Sequence, residues 1–284
     1  MSRYFIDRVS KSMVLICAAI SFLVLLLIAT FIAKEGMPVF GEIGLGQFLF
    51  GGEWRPGDGQ FGILTMIVGS ICVAIGSLLL AVPLGVACAI FLAEVAPHRI
   101  REIFRPAVEL LVGIPSVVYG LVGMAALVPL VRELGGTGFS LLTAVIVLTA
   151  MVLPTIISIS EDSIRSVPIQ YKEAALALGA NHWQTIWQVL LPAARSGIVA
   201  AAVLGMGRAV GETMAMIMVI GNSPIFPNSP LDSVRTLTGN IAVEIAYATG
   251  IHENALFATG VVLFVFIIVL NSVAFLARKK EISQ

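Results

Sequence analysis

Uninterrupted apolar runs constrain this chain more than any other feature. Several of them exceed the roughly 18 residues that a helix needs to cross the hydrocarbon core of a bilayer. Of the 284 residues, 58% are hydrophobic and only 12% are charged, whereas a soluble domain has about 25% charged residues. Run length and composition together predict an all-α polytopic membrane protein.

Six transmembrane helices are expected from these runs. Their approximate bounds are Ser12–Ala33, Phe61–Ala93, Pro106–Val131, Gly138–Ser160, Ser196–Gly221 and Ala255–Ala277. The first run lacks a small-residue cleavage site, so it is interpreted as a retained helix and not as a signal peptide. A Gly-rich outer loop is expected at about Lys34–Gln60, and a second outer loop at about Asn222–Asn254.

The basic residues predict how the helices are oriented. Twelve Lys and Arg residues fall in segments on one side of the predicted membrane and four on the other, with Arg208 inside a helix. Because cytoplasmic segments carry the excess of basic residues, both termini are expected to be cytoplasmic. The twelve are Arg3, Arg8, Lys11, Arg99, Arg101, Arg105, Arg165, Lys172, Arg195, Arg278, Lys279 and Lys280, and the four are Lys34, Arg55, Arg132 and Arg235.

The polar stretch KEAALALGANHWQTIWQVLLP, Lys172–Pro192, separates the fourth and fifth predicted helices. Gly179 is a natural left-handed stop for a first short helix, and Asn181 with Gln184 forms a capping-box pattern for a second. Four apolar residues at helical spacing predict one apolar stripe on that second helix. They are Trp183, Ile186, Trp187 and Leu190. Pro192 is expected to end it, which gives a cytoplasmic helix–turn–helix that rests on lipid or docks on a protein.

The spacing within this hairpin, EAA-x3-G-x9-V-x-L-P, resembles the EAA signature of ABC importer permeases. Val189 replaces an isoleucine of the family pattern. The resemblance implies that the hairpin is a coupling helix that docks in a groove of a separate ATPase subunit. The positions it assigns to this contact are Glu173, Ala174, Ala175, Gly179 and Pro192.

Four further segments carry a second resemblance. They are GIPSVVYG (Gly113–Gly120), GRAVGETMA (Gly207–Ala215), GNSP (Gly221–Pro224) and VRTLTGNIAVE (Val234–Glu244). Together they resemble the PstC family of permeases of bacterial phosphate importers. That resemblance implies a type I ABC importer permease fold of five core helices plus an N-terminal helix, located in the inner membrane. It also implies a PstA-like second permease, a PstB-like ATPase dimer and a PstS-like periplasmic phosphate-binding protein.

The same resemblance suggests how the chain is divided. Residues 1–60 are expected to hold a cytoplasmic N-terminus, the first transmembrane helix and a periplasmic loop. Residues 61–277 would form the type I permease core, with a cytoplasmic coupling loop at residues 161–195. Residues 278–284 would form a cytoplasmic tail.

Arg208 and Glu212 are the ionisable residues that fall well inside a predicted helix. A charge at this depth is costly, so such residues usually face a bundle interior or a water-filled path. At i and i+4 the two could pair on one helix face, either as a structural pair or as a substrate site in which Glu212 holds Arg208. The Arg fork matches phosphate oxygens, and the PstC resemblance places transport-essential Arg and Glu residues here.

Other polar residues are weaker candidates for the substrate path. Ser116 and Tyr119 directly follow a helix break expected at Pro115 and could offer hydroxyl donors to an anion, and Thr213 adjoins the charged pair. Each could instead serve helix packing. Three glycines of the fifth predicted helix are expected to allow close packing. They are Gly205, Gly207 and Gly211. Three acidic residues at helix ends are expected to be solvated or interfacial. They are Glu94, Glu102 and Glu109.

Several functions are disfavoured by the sequence. None of the five lysines follows a glycine, so the chain has no phosphate-binding loop, and ATP hydrolysis is expected in another subunit. The Cys and His residues show no metal-ligand or nucleophile spacing, so no metal, cofactor or enzymatic activity is expected. The alternatives that stay open are a PstA-type permease, a permease for another oxyanion such as molybdate or sulfate, and a proton-coupled carrier that uses Glu212.

Overall fold

The computed structural model describes the backbone of residues 3–282 and the side chains of residues 7–272. It contains six helical runs that are long and apolar enough to cross a membrane, as the sequence predicts. They are Asp7–Phe50, Leu64–Val95, Ser116–Glu133, Leu141–Arg165, His182–Gly211 and Ile251–Ser272.

The α-helices are numbered in chain order. They are α1 (Arg3–Val39), α2 (Leu45–Phe50), α3 (Leu64–Ile90), α4 (His98–Val112), α5 (Ser116–Val122), α6 (Val128–Glu133), α7 (Leu141–Arg165), α8 (Ile169–Ala177), α9 (His182–Thr185), α10 (Leu191–Gly211), α11 (Met214–Val219), α12 (Leu237–Glu244) and α13 (Ile251–Ile282). Turns of π-helix lie at Phe40–Gly44, Phe91–Val95, Gly123–Leu127 and Ile186–Leu190, and a 3₁₀ turn lies at Pro56–Asp58. The short strands β1 (Trp54–Arg55) and β2 (Gln60–Phe61) pair antiparallel, with Trp54 opposite Phe61.

Helix α7 forms the centre of the bundle and packs against α3 and α10. Its side chains Leu148, Val152 and Ile156 are fully buried. A helix that is apolar on all sides is stable only where neighbouring helices or lipid surround it. The core therefore lies where α3, α7 and α10 meet.

The N-terminal helix is longer than the sequence predicts. Helix α1 continues through a π turn into α2, so the expected loop at Lys34–Gln60 is helical as far as Phe50. The extension is held because Val39 and Phe48 are fully buried in an apolar cluster that also contains Leu256 of α13.

The predicted helices at Pro106–Val131 and Ser196–Gly221 are each broken. The break at Pro115 is the one that the sequence predicts, whereas the break in the fifth helix corrects the continuous helix expected there. The first break separates α4 from α5 at Gly113–Pro115, because Pro115 has no backbone N–H and disfavours helical geometry at the preceding residue. The second separates α10 from α11, where Glu212 adopts an extended backbone. Gly120 of α5 packs against α11: a Cβ atom there would lie 3.0 Å from the Ala215 Cα. The two broken helices therefore meet.

The end of the bundle that carries α12 is called the outer end, and the end that carries the α8–α9 hairpin is called the inner end, following the orientation predicted from the basic residues. A separate apolar cluster stabilises each end.

Candidate functional site

Arg208 lies near the middle of the bundle. Its Nη1 atom donates a hydrogen bond of 3.1 Å to the Thr155 hydroxyl of α7. At about 1.5 Å per residue, Thr155 is about 21 Å from Leu141 and about 15 Å from Arg165 along α7. The structure thus places a partly exposed guanidinium at mid-depth, as the sequence predicts, and adds Thr155 as its anchor.

The expected pairing of Arg208 with Glu212 is not formed. Among residues 7–272, no carboxylate lies within ion-pairing distance of the Arg208 guanidinium. The Glu212 Oε1 atom instead accepts a hydrogen bond of 3.0 Å from the Ala215 N–H in the first turn of α11. The predicted i, i+4 pair does not form because α10 ends at Gly211, so Arg208 and Glu212 do not share a continuous helix.

Tyr119 is placed beside this site, but its hydroxyl has a structural partner. The hydroxyl donates to the Leu111 carbonyl at 2.9 Å, across the break between α4 and α5. It also lies close enough to Arg208 for the two to interact electrostatically. Tyr119 therefore closes the break between α4 and α5.

Ser116 and Thr213 occupy corresponding positions at the two breaks. Ser116 is the first residue of α5 and is partly exposed. Thr213 precedes α11, and its hydroxyl donates to the Gly211 carbonyl at 3.3 Å. The structure gives neither residue a direct bond to Arg208, so their roles on a path stay predictions.

An outer helix is attached to the second break. The Thr238 hydroxyl of α12 donates to the Glu212 carbonyl at 3.1 Å. At the start of α12, the Leu237 N–H donates to the Ser70 hydroxyl of α3 at 2.9 Å. Sequence reasoning missed both contacts, although both α12 residues lie in the singled-out segment VRTLTGNIAVE.

Glu244, at the end of α12, is the centre of a buried polar cluster at the outer end. Its carboxylate accepts from Trp54 Nε1 at 2.8 Å, lies 2.8 Å from His252 Nε2 and forms an ion pair with Arg235. Burial raises the pKa of Glu244, but these hydrogen bonds and the charge of Arg235 lower it by more, so the pKa lies below its ordinary value. The cluster joins β1, the segment before α12 and the start of α13.

The α8–α9 hairpin has the predicted turn. Gly179 has a φ of 88°, in the left-handed region, and Asn181 and Gln184 form the capping box with both hydrogen bonds at 2.8 Å. Pro192 does not end the second helix: it lies at the start of α10, directly after the π turn. The π turn directly before Pro192 already interrupts the i to i−4 hydrogen bonds, and the helical run continues from α9 into α10.

The predicted apolar stripe of the second helix is divided between two environments. Ile186 and Leu190 are buried against the inner ends of α3 and α7. Trp183 and Trp187 are 57% and 63% exposed. Trp183 and Trp187 are four residues apart, as are Ile186 and Leu190, so each pair lies on its own side of the helix.

The EAA positions are largely accessible. Glu173 and Ala174 are exposed, while Ala175 is buried. The hairpin also exposes several large apolar side chains. These exposed residues are Ile169, Tyr171, Leu176, Leu178, Trp183 and Trp187. An exposed apolar patch of this kind is typical of a docking surface.

Of the three acidic residues expected to be solvated or interfacial, Glu94 is largely withdrawn from solvent. The Glu94 side chain is 12% exposed and forms an ion pair with Lys172 of α8. Glu102 and Glu109 are 64% and 60% exposed, as the sequence predicts. The ion pair of Glu94 was not predicted because its partner, Lys172, is 78 residues away in the chain.

The three glycines of the fifth predicted helix are not equivalent. A Cβ atom at Gly205 would lie 2.9 Å from the Val152 Cγ1, so this glycine does permit close packing on α7. At Gly207 and Gly211 a Cβ atom would meet nothing within 4 Å among the described residues. The close-packing prediction is therefore confirmed for Gly205 and wrong for the other two.

The chain is similar to permeases of ABC transporters over most of its length. It is 44% identical over 269 residues to the probable ABC transporter permease protein YqgH of Bacillus subtilis, covering 92% of this chain and 87% of that protein. It is 36% identical over 277 residues to the phosphate transport system permease protein PstC of Xylella fastidiosa, covering 88% and 84%. For PstC of Pasteurella multocida the identity is 34% over 274 residues, with coverage of 89% and 85%.

Solved ABC transporters share the fold. A chain of a bacterial alginate ABC transporter, in complex with an alginate pentasaccharide-bound periplasmic protein, matches with a TM-score of 0.63 at 16% identity, covering 94% of both chains. A chain of the MetNI methionine ABC transporter in an inward-facing conformation matches with a TM-score of 0.57 at 19% identity, covering 78% of this chain and 94% of that one. These likenesses establish the type I permease fold expected from the EAA resemblance.

The family match includes α7, α10 and the hairpin between them. Residues 81–280 match the family described as binding-protein-dependent transport system inner membrane component. With this match and relatives above 30% identity over most of its length, the chain belongs to that family and is a multi-pass inner-membrane permease of the ABC transporter class.

Proposed function

We propose that this chain is the PstC-type permease subunit of an ATP-driven importer of inorganic phosphate. It forms half of the translocation path, and a PstA-like permease supplies the other half. The similarity to PstC proteins of two organisms supports phosphate as the solute. A PstB-like ATPase dimer and a PstS-like periplasmic phosphate-binding protein complete the assembly.

The observation that carries the proposal is the Arg208 guanidinium at mid-depth. An anion that crosses a low-dielectric layer needs a compensating charge, since transfer of an unpaired charge is prohibitively costly. Arg208 donates one hydrogen bond to Thr155, and no carboxylate among residues 7–272 neutralises the guanidinium. Its other N–H donors are then available for two phosphate oxygens.

The exposed hairpin supports the coupling role. Glu173 and Ala174 face outward beside an apolar surface that includes Leu178, which is 89% exposed. A short helix lying in a groove of a partner is a recurrent recognition mode. With both termini and this hairpin in the cytoplasm, the ATPase reaches the hairpin directly, and ATP hydrolysis belongs to that separate subunit.

Transport in reconstituted vesicles tests the proposal. The full assembly of this chain, PstA-like permease, ATPase dimer and binding protein should accumulate labelled phosphate only with hydrolysable ATP, and collapse of the proton gradient should not stop uptake. Arg208→Lys keeps the charge and removes the planar fork, so uptake should fall about tenfold or more, as expected for loss of a charge-assisted hydrogen bond of about 1.5–3 kcal/mol. Arg132→Lys is the matched control, since Arg132 is exposed and donates to the Thr137 carbonyl, away from Arg208.

Three results would contradict parts of this proposal. Normal phosphate uptake by the Arg208→Lys variant would exclude bidentate recognition of phosphate by Arg208. Uptake of molybdate or sulfate in preference to phosphate would show that phosphate is not the solute. Uptake that needs a proton gradient and no ATP would indicate a secondary carrier.

A further inference from the structure

The hairpin is attached to the bundle by more than its chain connections to α7 and α10. Lys172 of α8 forms an ion pair with Glu94, which lies in the π turn at the inner end of α3. The two side chains are 27% and 12% exposed, so water screens the pair only in part. The pair thus connects the hairpin to a third membrane-crossing helix.

Apolar packing lies beside this ion pair. Ile186 and Leu190, in the π turn that follows α9, are buried against Ala89, Ile90 and Ala93 of the α3 end. Two π turns, one from α3 and one from the hairpin, therefore form the two sides of one joint. Turns of this kind are rare and occur frequently at functional sites.

A second basic residue secures the same π turn from another direction. Arg101 of α4 donates to the Leu92 carbonyl at 2.6 Å and to the Ala93 carbonyl at 2.8 Å. These bonds satisfy carbonyls that the end of α3 would otherwise leave unpaired. The turn around Glu94 is therefore held firmly on the bundle side, and Lys172 is the charged contact that the hairpin makes with it.

We propose that Glu94 and Lys172 are positioning residues that transmit movement of the hairpin to α3. Because α3 packs along α7 and α10, a displacement of the hairpin reaches all three central helices at once. The inference rests on the proposed function, since it deepens the coupling role assigned there to the hairpin.

Charge exchange in the full assembly tests the pair. Lys172→Glu places two carboxylates together and Glu94→Lys places two ammonium groups together, so each single variant should reduce phosphate transported per ATP hydrolysed by about fivefold or more, the lower end of usual coupling energies. The double variant Lys172→Glu/Glu94→Lys restores opposite charges and should recover most of that ratio. Glu102→Gln is the matched control, because this inner-end carboxylate is 64% exposed and should leave the ratio unchanged.

Co-purification of the ATPase with each variant shows that the assembly is intact. The inference is overturned if both single variants transport as much phosphate per ATP as the parent chain. It is also overturned if the double variant transports no more phosphate per ATP than the single variants. If the parent assembly transports no phosphate, the proposed function fails by itself. The role of the pair is then tested by measuring how strongly this chain stimulates ATP hydrolysis by the ATPase. Loss of that stimulation in both single variants and its recovery in the double variant supports the role, and any other pattern overturns it.

Discussion

At the residue scale, three charged side chains show how burial and partners decide the role of a charge. Arg208 is held by a hydroxyl and keeps its charge uncompensated among residues 7–272, whereas Glu94 and Glu244 each have basic partners. A carboxylate with several donors can remain ionised in a buried place because those bonds offset its desolvation. Arg208 is therefore suited to an anion, and the two carboxylates to holding segments together.

Glu244 makes stability depend on pH in a defined direction. Its folded pKa is lowered, so its contribution to stability is complete above the unfolded value of about 4.3 and is lost as pH falls through that value towards the folded pKa. We expect the melting temperature of the purified chain to decrease as the pH falls below about 4.3. The melting temperature of the Glu244→Gln variant should decrease less over the same pH range. Glu53→Gln, at a carboxylate that is 59% exposed, should follow the parent curve; a Glu244→Gln curve parallel to that of the parent would contradict this role.

At the element scale, two glycines of α10 form a matched test of helix packing. Gly205→Val would push a side chain into Val152 of α7, and overpacking of this kind costs about 1–3 kcal/mol. Gly207→Val meets open space among the described residues. Gly205→Val should lower the melting temperature of the purified chain clearly more than Gly207→Val. Equal decreases in melting temperature would show that helix propensity, and not packing on α7, determines the stability of both variants.

The turn of the hairpin offers a second test at this scale. At Gly179 a Cβ atom would meet nothing within 4 Å among the described residues, so substitution acts through the left-handed φ of 88°. Gly179→Val should cost about 1–2 kcal/mol locally and change the angle between α8 and α9, while Gly179→Asn tolerates that conformation.

In the full assembly, Gly179→Val should insert normally and keep ATP hydrolysis while phosphate uptake falls. Gly179→Asn should retain most uptake. Unchanged uptake in the valine variant would count against the docking role of the hairpin.

At the scale of the whole molecule, two charged joints lie at opposite ends of the bundle. The Glu244 cluster holds β1, α12 and α13 together at the outer end, and α12 reaches the break beside Glu212 through Thr238. The Lys172–Glu94 pair joins the hairpin to α3 at the inner end. As a permease of an ABC importer, this chain works with an ATPase and a substrate-binding protein, and each joint lies at the end where one of these partners is expected.

The sequence alone determined the features that depend on neighbours in the chain. The six membrane-crossing runs follow from the length of apolar segments, and the Gly179 turn and Asn181 capping box follow from local backbone chemistry. Arg208 could be selected because a charge within an apolar run is costly wherever the helix lies.

Only the tertiary structure decided the partners of the charged residues and the break between α10 and α11, whereas the break at Pro115 follows from the local sequence. Trp54 and Glu244 are 190 residues apart, Glu94 and Lys172 are 78 apart, and Thr155 and Arg208 are 53 apart. Periodicity reports which face of a helix is apolar, but it carries no information about which distant side chain meets that face. The break at Glu212 is stabilised by α12 through Thr238, so a continuous helix was the natural prediction from the local sequence and the fold overrode it.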